Sequence, residues 1–142
     1  MSTMQKGWFY WFFVNRAMTK VLEHKHIIIR AEVSEPITRR NKAIKFLNRI
    51  IKAIGMKAMY GPTASYCKMK GNRGVTAFAI IETSHIAMHT WDEVNPALVQ
   101  LDVYTCGPFK PQSVLDIMQE LKPIKVEYKY LDREKGFTEL TI

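Results

Sequence analysis

VTAFAIIETSHIAMHTW, residues 75–91, decides how this chain folds. Val75–Glu82 and His85–Trp91 are both short runs rich in apolar and β-branched residues, the composition of strands. Only a turn separates them, with Ser84 at the entrance to the second run, and it is too short for the crossover that parallel strands need. The two runs are therefore expected to pair antiparallel. Downstream, Val99, Leu101 and Val103 alternate with Gln100, Asp102 and Tyr104, as in a strand buried on one face, and this strand leads to Cys106. Upstream, Gly71-Asn72-Arg73-Gly74 marks a turn, preceded by a strand at Ala64–Met69 and a turn at Tyr60-Gly61-Pro62.

Outside this run of strands the period changes. Ala43, Ile44, Leu47, Ile50, Ile51 and Ile54 recur at helical spacing, with Arg39, Lys42, Lys45, Arg49 and Lys52 mostly on the other sides. Ser34 is placed to cap this helix, Pro36 to sit in its first turn and Gly55 to stop it. His26–Val33 reads as a buried strand before it. Near the end, Val114, Ile117, Met118 and Leu121 share one face of a helix over Gln112–Leu121 that Pro123 closes, and residues 124–131 (IKVEYKYL) alternate as a last strand. The expected fold is α+β: a two-layer αβ sandwich, an antiparallel sheet with both helices on one face.

At 142 residues the chain is long enough for one domain with its own core. Two cysteines, Cys67 and Cys106, are too few for a disulfide framework, and no secretory signal is evident, so a cytoplasmic location with free thiols is expected. The aromatic stretch GWFYWFFV at 7–14 is too short to span a bilayer. It reads as a helix or arm within an N-terminal extension, residues 1–24, and no membrane partner is expected. The net charge is +8, yet residues 36–81 hold ten Lys or Arg and no acid. That segment reads as a solvated basic helix face. It lacks the aromatic interleaving or zinc-finger spacing of a nucleic-acid module, so nucleic acid is not an expected partner.

Chemistry concentrates in one window. On a strand, His85, Ala87, His89 and Trp91 share a face, and Gln100, Asp102 and Tyr104 share a side with Cys106. Serine, histidine and cysteine could thus meet on one face of the sheet as nucleophile, base and acid. Histidines four apart make a poor chelate on a strand, and no metal site is expected.

SHIAMHTWDE (84–93) followed by DVYTCG (102–107) resembles the signature of the prokaryotic S-adenosylmethionine decarboxylases. In that family a Glu-Ser-His segment runs into His-Thr-Trp-x-Glu and then Thr-Cys-Gly. Lys25-His26-Ile27 is similar to the family's opening strand, and the likeness spans about residues 25–131. The resemblance implies a family domain over residues 25–142, made as a proenzyme and active as paired subunits. Ser84 would attack the carbonyl of Thr83, and elimination would then divide the chain into a β chain ending at Thr83 and an α chain beginning at residue 84. Residue 84 would become a pyruvoyl group, the cofactor, able to form a Schiff base with the amine of S-adenosylmethionine and accept the electron pair left as CO2 departs. The product feeds spermidine, and so polyamine, synthesis. By the same likeness His89 and Thr76 take part in processing, Cys106 is the proton donor, and Glu93 holds the ribose hydroxyls.

Three positions depart from the family pattern. Thr83 stands where Glu is common. Arg30 lies where an acid near the substrate is usual, and a close arginine would repel a sulfonium. The segment before Thr76 carries Lys68, Lys70 and Arg73 where an adenine-stacking aromatic is frequent, leaving Tyr66 or Phe78 as substitutes. Two other readings follow: a pyruvoyl-dependent decarboxylase of arginine or ornithine, and an uncleaved regulatory or nucleic-acid-binding paralogue that uses the basic helix.

Overall fold

The computed structural model describes residues 23–142. The expected N-terminal helix or arm lies outside the described residues, apart from Glu23 and His24. The described chain forms β1 (Lys25–Val33), α1 (Arg40–Ala53), β2 (Ala58–Cys67), β3 (Gly74–Ile81), β4 (Ser84–Trp91), β5 (Ala97–Thr105), α2 (Pro111–Met118), a 3-10 turn (Gln119–Leu121), β6 (Pro123–Asp132) and β7 (Thr138–Glu139). The strands make one sheet in the order β2-β3-β4-β5-β1-β6-β7, every neighbour antiparallel.

Alternation along each strand makes two unlike faces. Ile27, Ile29, Val75, Ala77, Ile86, Met88, Leu101 and Val103 are fully or almost fully buried under the helices. They meet Phe46, Leu47 and Ile50 of α1 and Val114 and Met118 of α2 in one core. Full burial of each large side chain is worth about 1.5–3 kcal/mol, and this layer dominates stability. The opposite face carries no helix among the described residues, and it holds His85, Ala87, His89, Gln100, Asp102 and Tyr104. The expected sandwich is what the chain forms.

Several local expectations change. Ser34 does not cap α1, which starts only at Arg40 after an irregular segment. Instead the Ser34 backbone N–H and its hydroxyl both donate to the carbonyl of Lys122, each at 3.1 Å, which ties the end of β1 to the start of β6. Pro36 therefore sits in that connection, outside the helix. The second helix stops at Met118 and tightens into the 3-10 turn, ending at Lys122 in a left-handed conformation (φ 48°). The strand expected at 64–69 runs from Ala58 to Cys67 instead, so the turn expected at 60–62 lies within it as a shift of register. An edge strand tolerates this, because Pro62 owes no N–H to a further neighbour. Gly61 is obligatory there: its φ is +79°, and a Cβ would come within 2.9 Å of the Thr63 nitrogen.

Candidate active site

Ser84 is the first residue of β4, reached from Ile81 through Glu82 and Thr83. Its φ is 140°, a region a side chain bearing a Cβ rarely enters. Such backbone costs on the order of 1–3 kcal/mol and persists only where the surroundings enforce it. Here they do. The carbonyl of Thr83 accepts the Cys106 N–H at 2.7 Å, and Ser84 is paired between Ile81 and Thr105. The Thr83 hydroxyl donates to Met56 Sδ at 3.0 Å, and Gly107 leaves room for the Thr83 methyl, which a Cβ there would meet at 3.3 Å. Thr105 fixes the turn that follows, its hydroxyl donating to the Gly107 carbonyl and receiving the Gly107 N–H. The structure thus places a strained serine, the carbonyl before it, and a backbone donor at that carbonyl's oxygen in one corner, with Cys106 supplying the donor.

On the open face the strands stack residues into rows. His26, Tyr104 and His85 form the row nearest Ser84. Ile28, Asp102, Ala87 and Phe78 form the next. Arg30, Gln100, His89 and Thr76 form the third. Thr76 Oγ1 and His89 Nδ1 lie 3.0 Å apart, a hydroxyl hydrogen-bonded to an imidazole. Beyond them Glu93 receives the Arg73 N–H at 3.4 Å and lies 3.7 Å from Arg73 Nε.

The expected meeting of serine, histidine and cysteine therefore holds only in part. Cys106 is beside Ser84, but His89 is five residues along β4, roughly 17 Å away at strand rise. Thr76 and Glu93 keep company with His89 rather than with Ser84. A cavity of about 660 Å³ opens on the helix side between α1 and β2, lined by Arg39, Arg40, Ile44 and Tyr66 among others, and none of these site residues lines it. Of the two aromatics considered for stacking, Tyr66 pairs with buried Val75 and so belongs to the helix side, where its hydroxyl donates to Asp92 at 3.1 Å. Phe78 stands on the open face, 42% exposed and stacked with Tyr60. Arg30 lies on the open face between Glu32 and Glu127, with its guanidinium 3.2 Å from each. Its charge is offset locally.

One cluster went unread in the sequence. Asp102 accepts a short hydrogen bond from His26 Nε2 and lies 3.8 Å from His85 Nε2. Arg133 donates to His26 Nδ1 at 3.1 Å, which leaves the His26 ring proton on Nε2, directed at Asp102. The same guanidinium lies 4.3 Å over the Tyr104 ring. Burial raises the Asp102 pKa, but the His26 hydrogen bond and the nearby positive charge, including that of Arg133, outweigh it and leave it below the ordinary carboxyl value. Among the described residues no group of three or more His, Cys, Asp or Glu is arranged to hold a metal ion. No helix among them is long and apolar enough to cross a membrane.

A profile of the S-adenosylmethionine decarboxylase family matches residues 25–134. The chain belongs to the S-adenosylmethionine decarboxylase family. Among relatives, the S-adenosylmethionine decarboxylase proenzyme of Pyrobaculum islandicum is 41% identical over 108 residues, covering 75% of this chain and 76% of that one. The proenzyme of the same name from Pyrobaculum arsenaticum is 38% identical over 99 residues, or 68% and 70% of the two chains. Among solved structures, the adenosylmethionine decarboxylase from Aquifex aeolicus matches with a TM-score of 0.61 at 26% identity, covering 86% of this chain and 97% of that one. The membership covers both ends of the open face, since residues 25–134 include Thr76, Ser84, His89, Glu93 and Cys106.

Proposed function

We propose that this chain is a proenzyme that cuts itself between Thr83 and Ser84, and that the processed form decarboxylates S-adenosylmethionine to supply aminopropyl donors for spermidine. The observation that carries the reading is the Cys106 N–H on the Thr83 carbonyl, 2.7 Å away, immediately before a serine held at φ 140°. As the Ser84 hydroxyl oxygen bonds to the Thr83 carbonyl carbon, negative charge develops on that carbonyl oxygen. A backbone donor already aimed there strengthens as the charge grows. Collapse breaks the amide, leaves an ester and returns the proton to the Ser84 nitrogen. Release of backbone strain favours this exchange of a stable bond for a weaker one. Removal of the Ser84 α-proton then expels Thr83 as a carboxylate. The dehydroalanine left at residue 84 tautomerises, takes up water and loses ammonia to become pyruvoyl.

The pyruvoyl carbonyl supplies an electrophile, which no ordinary side chain has, for the substrate's amine and for the electrons left when CO2 departs. Cys106, beside residue 84, is the group to return a proton to the substrate carbon. Glu93, a carboxylate, suits the ribose hydroxyls. Thr76 and His89, one hydrogen-bonded unit, suit proton transfer during processing. These three stand at the far end of the open face, so the reading requires a second copy whose far end meets the first copy's Ser84. A two-fold pairing of open faces does this twice over. Ile28, Phe78 and Ile80, each more than 40% exposed on that face, give the pairing apolar surface to bury. The two free thiols, Cys67 and Cys106, fit a reducing, cytoplasmic setting.

The ion pairs of Arg30 with Glu32 and Glu127 offset the charge that motivated a different substrate. Incubating purified protein with carboxyl-labelled S-adenosylmethionine, arginine and ornithine tests the assignment. Label is expected as CO2 from the first alone; release from either of the others instead would overturn the substrate and leave the chemistry.

A further inference from the structure

Self-cleavage, on the reading above, creates a mechanical problem. The connection of Glu82 and Thr83 that ties β3 to β4 is severed, and the reactive group becomes the terminal residue of a strand. Strand ends fray, and a frayed end would not hold its first residue against Cys106. Three observations identify what holds it. Asp102 faces β4 from β5, opposite Ala87, with its Oδ1 3.8 Å from Nε2 of His85, the second residue after the cut. The same oxygen receives the His26 Nε2–H from β1. His26 is locked in turn by Arg133, whose backbone N–H bonds the His24 carbonyl at 2.7 Å while its guanidinium covers Tyr104. The chain of contacts therefore runs from the end of β6 through β1 and β5 to His85, the first side chain after residue 84, and every link but His85 lies outside β4. The ionised state that makes Asp102 an anchor is itself supported by the His26 hydrogen bond and the nearby Arg133 charge, which hold its carboxyl below the ordinary value despite burial.

We propose that Asp102 is a positioning residue that anchors the newly made N-terminus of the α chain, through His85, and so holds residue 84 against Cys106 after the chain is cut. This rests on the self-cleavage reading, and intact mass, which reports cleavage independently, separates failure of one from failure of the other. The test is amide hydrogen exchange over residues 85–88 in four proteins: wild type and Asp102→Asn after cleavage, and each with Ser84→Ala to keep the chain whole. Cleaved Asp102→Asn is expected to exchange about tenfold faster there than cleaved wild type, while the two whole chains match. His85→Gln, which removes the same contact from the other side, is expected to reproduce the increase, and Asp102→Glu to reverse most of it. Equal exchange in the two cleaved proteins, an equal increase in the whole chains, or failure of folded Asp102→Asn to cleave would each overturn the proposal. Should Asp102→Asn not fold, the His85→Gln comparison decides alone by the same criteria.

Discussion

The two ends of the open sheet face are built differently. The Ser84 end is held by backbone: a positive φ, a carbonyl met by an N–H from the next strand, and a glycine that gives the threonine room. The Thr76 end is held by side chains: a hydroxyl on an imidazole, both on ordinary extended strand, and a carboxylate near an arginine in the turns that flank them. On the proposed reading, a bond primed to break stands at one end and the groups suited to moving its protons at the other. With roughly 17 Å between them along β4, that reading makes a single copy incomplete.

The most severe way to break this comparison is to remove the primed bond. Ser84→Ala should abolish cleavage outright, giving one full-length mass. His89→Ala should leave the bond primed yet slow its cutting by about 10²-fold or more, as loss of a proton-transfer group does. Mixing that variant with Ser84→Ala, whose far end is intact, should restore cleavage of the His89→Ala copies. If mixing restores nothing, the two ends do not meet across copies. Cys106→Ala keeps its backbone N–H, so it should still cleave while decarboxylation falls about 10²-fold. A cleavage defect as large as that of Ser84→Ala would mean the thiol, not the amide, serves the first step.

Smaller effects sharpen the picture of the Ser84 end. Asp102 has a folded pKa below its unfolded one, so its ionised contacts stabilise the fold above about pH 4 and are lost as pH falls through the lowered value. The melting temperature of wild type should exceed that of Asp102→Asn at neutral pH, and the gap should close in acid; a gap independent of pH would assign the effect to shape alone. Smallest is Arg30→Gln. Its exposed pairs are worth about 0–1 kcal/mol, so stability should barely move and KM should change by less than about threefold.

Most of the sheet could be read in the sequence because burial on one face leaves a period of two, as in VQLDVY at 99–104 and IKVEYKYL at 124–131. The cap assigned to Ser34 could not, since its hydroxyl is taken by Lys122, 88 residues away. The Asp102 cluster was hidden for the same reason: His26 and Arg133 are separated from it by 76 and 31 positions, and only the sheet order brings them together. Arg30 looked hostile to a cation while Glu127, 97 residues on, was invisible as its partner. Shared faces are legible in the sequence, whereas separation along a face depends on strand rise, which places His89 roughly 17 Å from Ser84.

The most direct test of the account is the intact mass of freshly purified protein, before and after treatment with a carbonyl-reactive hydrazide. Two chains are expected, one ending at Thr83 and one beginning at residue 84, with only the second gaining the reagent. A single unreactive chain of 142 residues would contradict the account.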